Sequence, residues 1–402
     1  MDNERFNARR FVGANGLQSI GDQVVAAKTV LPYILHAAGA PAFFAAMLVP
    51  IRESGSMLPQ AALTPWVVRH ERRKMIWVWG SVIQGAAAAG IAVAALFTRG
   101  VLLGMLTVVL LGVLAGGRAL CSIASKDVQG RTISKGSRGK VTGTATLAGG
   151  VSVVVIGAAL LALGSTPPMP LLIGLIGASA CAWLLAGAIF RTIKEPVPEI
   201  PERAPNHWLR DSLETLREDR SFRRFVVVRS LLLVSSLSPT FLVVLAPSSL
   251  GAFLLASGIA SIVGGRIAGV WSDRSSKDVM RFGAVSASVL LLGVLAADRW
   301  AGEAVNMWFI PLSFLMLHLI HTAVRVARKT YVVDMAEGEK RTRYVAIANS
   351  AMGVILLFAG VISGGLSMLG PQAALLFLSA LGVVGFVAAR GLDDVSTGPR
   401  GA

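Results

Sequence analysis

Residues Val101–Ser125 read VLLGMLTVVLLGVLAGGRALCSIAS and carry one charge, Arg118. Crossing the hydrocarbon core of a bilayer takes about 20 helical residues, so this stretch reads as a membrane-spanning helix. Its apolar run is continuous, whereas a strand of an outer-membrane barrel would alternate. Thr98-Arg99-Gly100 separates it from a second apolar stretch, and Lys126 and Arg131 begin a basic cluster after it. The same pattern continues in both directions. It predicts an all-α polytopic membrane protein with 12 transmembrane helices near 11–36, 41–68, 75–97, 101–125, 141–164, 168–190, 223–245, 249–271, 279–298, 304–329, 344–368 and 372–390.

The composition fits this reading. Of 402 residues, 54% are hydrophobic and 15% charged, whereas soluble domains average about 25% charged. A formal net charge of +16 would point to nucleic acid in a soluble protein, but here its placement explains it. Lys and Arg cluster on one set of connections: Arg5, Arg9 and Arg10, then Arg69 and Arg72–Lys74, then Lys126–Lys140, the segment after 190, the 266–281 and 325–343 regions and the C-terminal tail. The alternate connections between them carry only Arg99 and Arg299. This bias predicts a multi-pass protein of the cytoplasmic (inner) membrane with both termini in the cytoplasm. The first apolar stretch is too long for a signal-peptide core and reads as a retained helix. Cys121 and Cys181 lie inside apolar stretches, so neither a disulfide framework nor a metal cluster is expected.

The longest polar segment, from Arg191 to Arg224, holds Pro196, Pro198, Pro201 and Pro205 and then an amphipathic stretch, Trp208–Leu216. It divides the chain into an N-terminal half (1–190), a cytoplasmic linker (191–222) and a C-terminal half (223–402). One ungapped offset of 203 residues relates the halves. It places Gly55 on Gly258, Gly80 on Gly283, Gly90 on Gly293, Gly150 on Gly353, Gly157 on Gly360 and Pro168 on Pro371. Chance pairing at this glycine content would give roughly two glycine coincidences, fewer than are present. Six helices return the chain to its starting side, so the two halves are parallel repeats with the site expected at the midplane between them.

In the second half, Gly269-Val-Trp-Ser-Asp273-Arg274-Ser-Ser-Lys277 resembles a motif of the major facilitator superfamily (MFS). The matching register of the first half, Trp66 to Lys74, keeps the basic tail Arg72-Arg73-Lys74, but Trp66 replaces the glycine and His70 the aspartate. Phe190–Pro196 and Arg220–Phe225 are similar to the same superfamily. The resemblance implies a transporter of the MFS fold in which Gly269, Asp273, Arg274 and Lys277, with Arg72, Arg73 and Lys74, form an inter-half gating motif.

Ionisable residues inside spanning helices are functional candidates. Asp22, Glu53, His318 and His321 are candidates for proton coupling; Lys28, Arg52, Ser54, Gln60 and Arg118 are candidates for binding substrate. Pro50-Ile-Arg52-Glu53-Ser54-Gly55-Ser56-Met57-Leu58-Pro59-Gln60 lies about 18 Å deep. Its prolines and glycine are expected to weaken the helical ladder and free carbonyls for a ligand. No metal spacing, nucleophile motif or Walker motif is present, which argues against an enzyme and against any cofactor. The expected partners are a small-molecule substrate, protons and the lipid bilayer, with no nucleic acid and a monomeric state. Gly21-Asp22 followed by Leu31-Pro32 resembles the first helix of many exporters of the superfamily, so export is expected; the alternatives are proton-coupled import of an anionic metabolite and a non-transporting receptor or scaffold.

Overall fold

The computed structural model describes residues 2–395 apart from 69, 134–137, 165–166, 197–207, 233, 247–248, 336–337 and 394. The described residues form α1 (Asp2–Val24), α2 (Val30–Ala37), α3 (Ala42–Val68), α4 (Arg73–Phe97), α5 (Gly100–Thr132), α6 (Arg138–Ala162), α7 (Met169–Arg191), α8 (Trp208–Glu218), α9 (Arg220–Leu231), α10 (Val234–Leu245), α11 (Leu250–Arg274), α12 (Ser276–Trp300), α13 (Glu303–Asp334), α14 (Gly338–Ser367) and α15 (Pro371–Ala389). With α1–α2 and α9–α10 each taken as one broken span, and α8 as a surface helix, this is the twelve-span, two-half architecture. Eight of the described segments are each long and apolar enough to cross a membrane. Outside those eight, α3 carries Arg52 and Glu53 within its apolar stretch and α1–α2 is broken, while the described apolar stretches of α6 and α11 are Leu147–Ala162 and Leu250–Gly264.

The repeat governs the packing. α4 and α12 begin and end at the sequence offset, and α5 and α13 begin at it. In the first half α4 packs on α5 and α7, α3 on α5, and α1 on α6 and α7. In the second, α12 packs on α13 and α15, α11 on α13, and α9–α10 on α14 and α15. Two seams join the halves, α3 with α14 and α6 with α11, and they exchange under the same pseudo-symmetry.

Two repeat glycines show why the seams need small residues. A Cβ on Gly157 would lie 2.4 Å from the Leu255 backbone nitrogen, and one on Gly360 would lie 2.2 Å from Pro50 Cγ. The seam contacts run from Phe43–Gly364 to Leu58–Gly353, and from Leu161–Gly251 to Gly150–Ile262.

The hydrophobic core follows these seams. On the face away from the termini one continuous cluster includes Leu31, Ile34, Leu237 and Phe241 from both halves. On the face carrying the termini it divides. One cluster (Phe11, Trp77, Phe190) belongs wholly to the first half and another (Phe222, Phe225, Tyr331) wholly to the second. The halves are therefore packed together on one face and separate on the other.

Two local expectations are corrected. The predicted first helix, 11–36, is broken at Val25–Thr29. A continuous helix would need the residue-32 N–H to reach the Lys28 carbonyl, and Pro32 has none; it sits instead in the first turn of α2, where that loss is tolerated. Conversely, α3 is continuous through Pro50, Gly55 and Pro59. Its ladder survives because neighbouring helices pack against it along its length, with Pro50 on Gly360 and Gly55 against Ala115.

Candidate functional site

Asp22 closes the last turn of α1 just before the break. Gly21 beside it allows close packing on α7, since a Cβ there would lie 2.8 Å from the Trp183 ring. Two arginines converge on the carboxylate. Arg52 Nη2 on α3 donates to Asp22 Oδ1 at 2.5 Å, and Arg118 Nη2 on α5 reaches Asp22 Oδ2 at 3.2 Å. Three helices of one half are thereby fixed at mid-membrane. Arg118, a substrate-binding candidate from the sequence, is aimed inward, where its charge has a partner.

This cluster forms one wall of a cavity of about 330 Å³ between the halves. The α1–α2 break exposes Ala26, Ala27, Lys28 and Thr29 to it, and the second half contributes Ser257, His318 and Arg325. The halves are bridged at this level by Gln23 Nε2 donating to Ser261 Oγ (3.3 Å) and Thr240 Oγ1 donating to the Ala27 carbonyl (3.4 Å). Four cations (Lys28, Arg52, Arg118, Arg325) and two carboxylates (Asp22, Glu53) line the cavity. Asp22 is engaged by two cations. Glu53 forms no ion pair among the described residues; it lies within electrostatic reach of Lys28 and Arg328.

Of the other candidates, only His318 among the described residues lines this cavity. Ser54 is buried and donates to the Gly353 carbonyl at 2.7 Å, so it belongs to the α3–α14 seam. Gln60 donates to the Ser56 carbonyl of its own helix at 2.6 Å and does not line the cavity. His318 lines the cavity, stacks on Phe314 and donates from Nδ1 to the Phe314 carbonyl (3.2 Å). His321 turns away from it toward Ser235, 3.4 Å off. The two histidines thus face different neighbours.

The described contacts of the gating candidates Arg73 and Lys74 are local. Arg73 pairs with Asp127, Arg131 pairs with the same carboxylate at 2.8 Å, and the Lys74 backbone N–H and ammonium bond Glu195 (2.9 Å) and the Ile193 carbonyl (2.7 Å). All of these lie in the first half or at the start of the linker that follows it. His70, standing where the motif has aspartate, donates to the Trp66 carbonyl of its own turn at 2.9 Å. Arg72 is exposed. In the second half Arg274 lines an apolar groove with Trp271 and Phe282, and Lys277 is half-buried. The side-chain surroundings of Gly269 and Asp273 lie outside the described residues.

Glu195, beyond the membrane span, has its carboxyl pushed above the usual range by burial, with Asp127 adding to the effect and the Lys74 N–H opposing it. A raised carboxyl favours the folded state below its unfolded value, near 4.5, and that contribution is lost as pH rises through the folded value. Glu195→Gln is therefore expected to melt higher than the parent at neutral pH, with the difference vanishing in acid. Melting curves across pH test this; equal melting temperatures at every pH would count against it.

Sequence reasoning missed Gln23, Thr29, Ser257 and Arg325 as lining residues, and the nearby Arg229 and Arg328. A signal existed for part of this set. His318, Arg325 and Arg328 follow helical spacing, but the predicted end of that helix at 329 made the arginines look like topology charges; α13 continues to Asp334. Among the described residues no cluster of three His, Cys, Asp or Glu is placed to hold a metal.

The Major Facilitator Superfamily profile matches residues 227–400. No curated protein matches the sequence. Among solved structures, the chain is similar to the inward-open xylose transporter XylE from E. coli (13% identity, TM-score 0.70, 96% of each chain covered). It is likewise similar to the nucleoside transporter NupG (12%, TM-score 0.71, 95% of this chain and 98% of that one). A POT family transporter in complex with a thioalcohol-conjugated peptide is also similar (9%, TM-score 0.72, 95% and 94%). The superfamily profile thus lies on the second half of the chain, and the fold of these solved transporters extends over nearly its whole length.

Proposed function

We propose that the protein is a secondary transporter that moves a small anionic solute together with a proton across the cytoplasmic membrane by alternating access. Residues 1–190 and 223–402 act as the rocking halves around the central cavity. The basic connections and both termini face the cytoplasm, so the closed seams face outward and the cavity belongs to an inward-facing state.

One observation carries the reading: Asp22 is locked between two arginines, whereas Glu53 faces the cations Lys28 and Arg328 and forms no ion pair among the described residues. An ionised Glu53 competes with an anionic solute for that field, and protonation removes the competitor. Proton and anion then favour each other's binding, and the coupling is reciprocal. Such coupling supports symport, so an inward proton gradient drives uptake, the alternative to export in the sequence reading. Proton coupling on this fold has a precedent in a similar structure, that of a D-xylose–proton symporter.

Glu53→Gln is expected to lose accumulation driven by a pH gradient while retaining solute exchange at zero gradient. Proteoliposomes loaded with a pH-sensitive dye, screened over small mono- and divalent organic anions, measure both. Gradient-driven accumulation that survives in Glu53→Gln sinks proton coupling at this residue.

A further inference from the structure

The second half holds a group of cations of which the proton site engages only Arg328. Arg229, in the last turn of α9, is 7% exposed. Its Nη2 donates to Asn349 Oδ1 at 2.7 Å, and its buried Nε has no partner. Arg328 on α13 is 6% exposed. Its Nη1 contact is the Met352 sulfur at 3.9 Å, and its Nε also lacks a partner. A thioether is a weak acceptor for a guanidinium. Asn349 and Met352 lie one turn apart on α14, so both arginines converge on the same place. Arg325, one turn before Arg328, opens onto the cavity.

The surrounding charges do not balance them. Lys329 is within electrostatic reach of Arg229, Arg325, Arg328 and of Lys126 on α5; Lys28 is within reach of Arg325 and Arg328. Glu53 on α3 is the carboxylate facing this group, and Lys28 shares it. Among the described residues none of Arg229, Arg325, Arg328 and Lys329 forms an ion pair. Burying unpaired cations is costly, and like charges in a low-dielectric site add to the cost. A site built this way is relieved by an anionic ligand.

We propose that Arg229, Arg325 and Arg328 form the second anchor of the substrate site and bind a doubly charged oxyanion group carried by a small organic solute. Arg52 and Arg118 are committed to Asp22, so the free positive field lies on this side. A single negative charge leaves most of the three arginines uncompensated; two come closer to balance. Planar guanidinium forks match the oxygens of a phosphate or of paired carboxylates, the chemistry the two candidate sources share. This deepens the transporter reading and rests on it for the term substrate, although binding itself is measurable without transport.

The test uses the full chain in lipid nanodiscs. Melting is followed by tryptophan fluorescence during titration with inorganic phosphate, sulfate, succinate or acetate at constant ionic strength. Saturable stabilisation by divalent anions and none by acetate is expected; stronger binding of phosphate than succinate assigns a phosphate ester, and the reverse a dicarboxylate. Arg325→Gln and Arg328→Gln are each expected to weaken binding by about tenfold to a hundredfold. Without ligand, Arg328→Gln is expected to melt no lower than the parent, because it removes a buried unpaired charge. No saturable response to any divalent anion, unaltered binding in both variants, or ligand-free Arg328→Gln melting well below the parent would overturn the proposal. Anion binding without solute movement would sink the transporter reading alone; proton-driven movement of a neutral solute without anion binding would sink the anion anchor and the anionic nature of the solute, and leave proton-driven transport standing.

Discussion

Asp22→Asn is expected to abolish solute movement and to destabilise the protein. The native carboxylate gives one oxygen to Arg52 and the other to Arg118, tying α1 to α3 and α5 beside the helix break. An asparagine keeps the shape but removes the charge, leaving two guanidinium groups at mid-membrane without a counter-ion. Removing one partner of a buried pair costs about 3–5 kcal/mol; the one-third exposure of Arg118 puts this site at about 2–3 kcal/mol. Transport is expected to fall at least about a hundredfold, because two cations of the cavity wall then compete for the solute's negative charge. Adding Arg118→Gln to Asp22→Asn should recover part of the lost stability, since it removes one orphaned charge. Melting and proteoliposome flux for the single and double variants test this. Parent-level flux in Asp22→Asn would show that the Arg52–Asp22–Arg118 cluster has no part in transport.

A disulfide across the α3–α14 seam is expected to stop transport reversibly. A Cβ on Gly364 would lie 3.4 Å from the Ala46 Cβ, with the Phe43 ring needing a small shift. That separation is close to the usual disulfide spacing of about 3.8 Å. In a background with Cys121 and Cys181 replaced, Ala46→Cys with Gly364→Cys should cross-link under oxidant, hold this seam shut and cut flux by roughly tenfold or more, with recovery on reduction. Adding Gly157→Val should lower the cross-linking yield. Its side chain would meet Leu255 backbone, which cannot rotate aside, so the opposite seam is driven open. Efficient cross-linking that leaves flux unchanged would mean that the halves need not part at this seam.

The two predictions draw on parts of the molecule that differ in how far the sequence exposes them. Asp22, Arg52 and Glu53 stood out because a charge in an apolar stretch is rare, and rarity needs no coordinates. That Asp22 takes both arginines while Glu53 takes neither depends on how α1, α3 and α5 are rotated against one another. Ser54 and Gln60 were drawn in by proximity in sequence to Arg52, yet one turn of helix sends a neighbour to another face: Ser54 to the seam, Gln60 along its own helix. Arg325 and Arg328 were hidden for the opposite reason. Near the end of a span, a cation that faces water and one that turns into the bundle read alike.

The sequence by itself determined the spans, their number, the basic face and the two-fold relation of the halves. Hydrocarbon tolerates only long apolar helices, and a repeat offset is a property of the chain alone. The gap in α1–α2 was partly written there too, in the missing N–H of Pro32. The tertiary structure decided the rest: the division of the core on one face, the close glycine seams on the other, and the pairing that leaves Glu53 and three arginines of the second half outside any ion pair among the described residues. Those features depend on which helix faces meet across the midplane, and that is settled by packing between residues about 300 positions apart at the α3–α14 seam and about 100 apart at the α6–α11 seam.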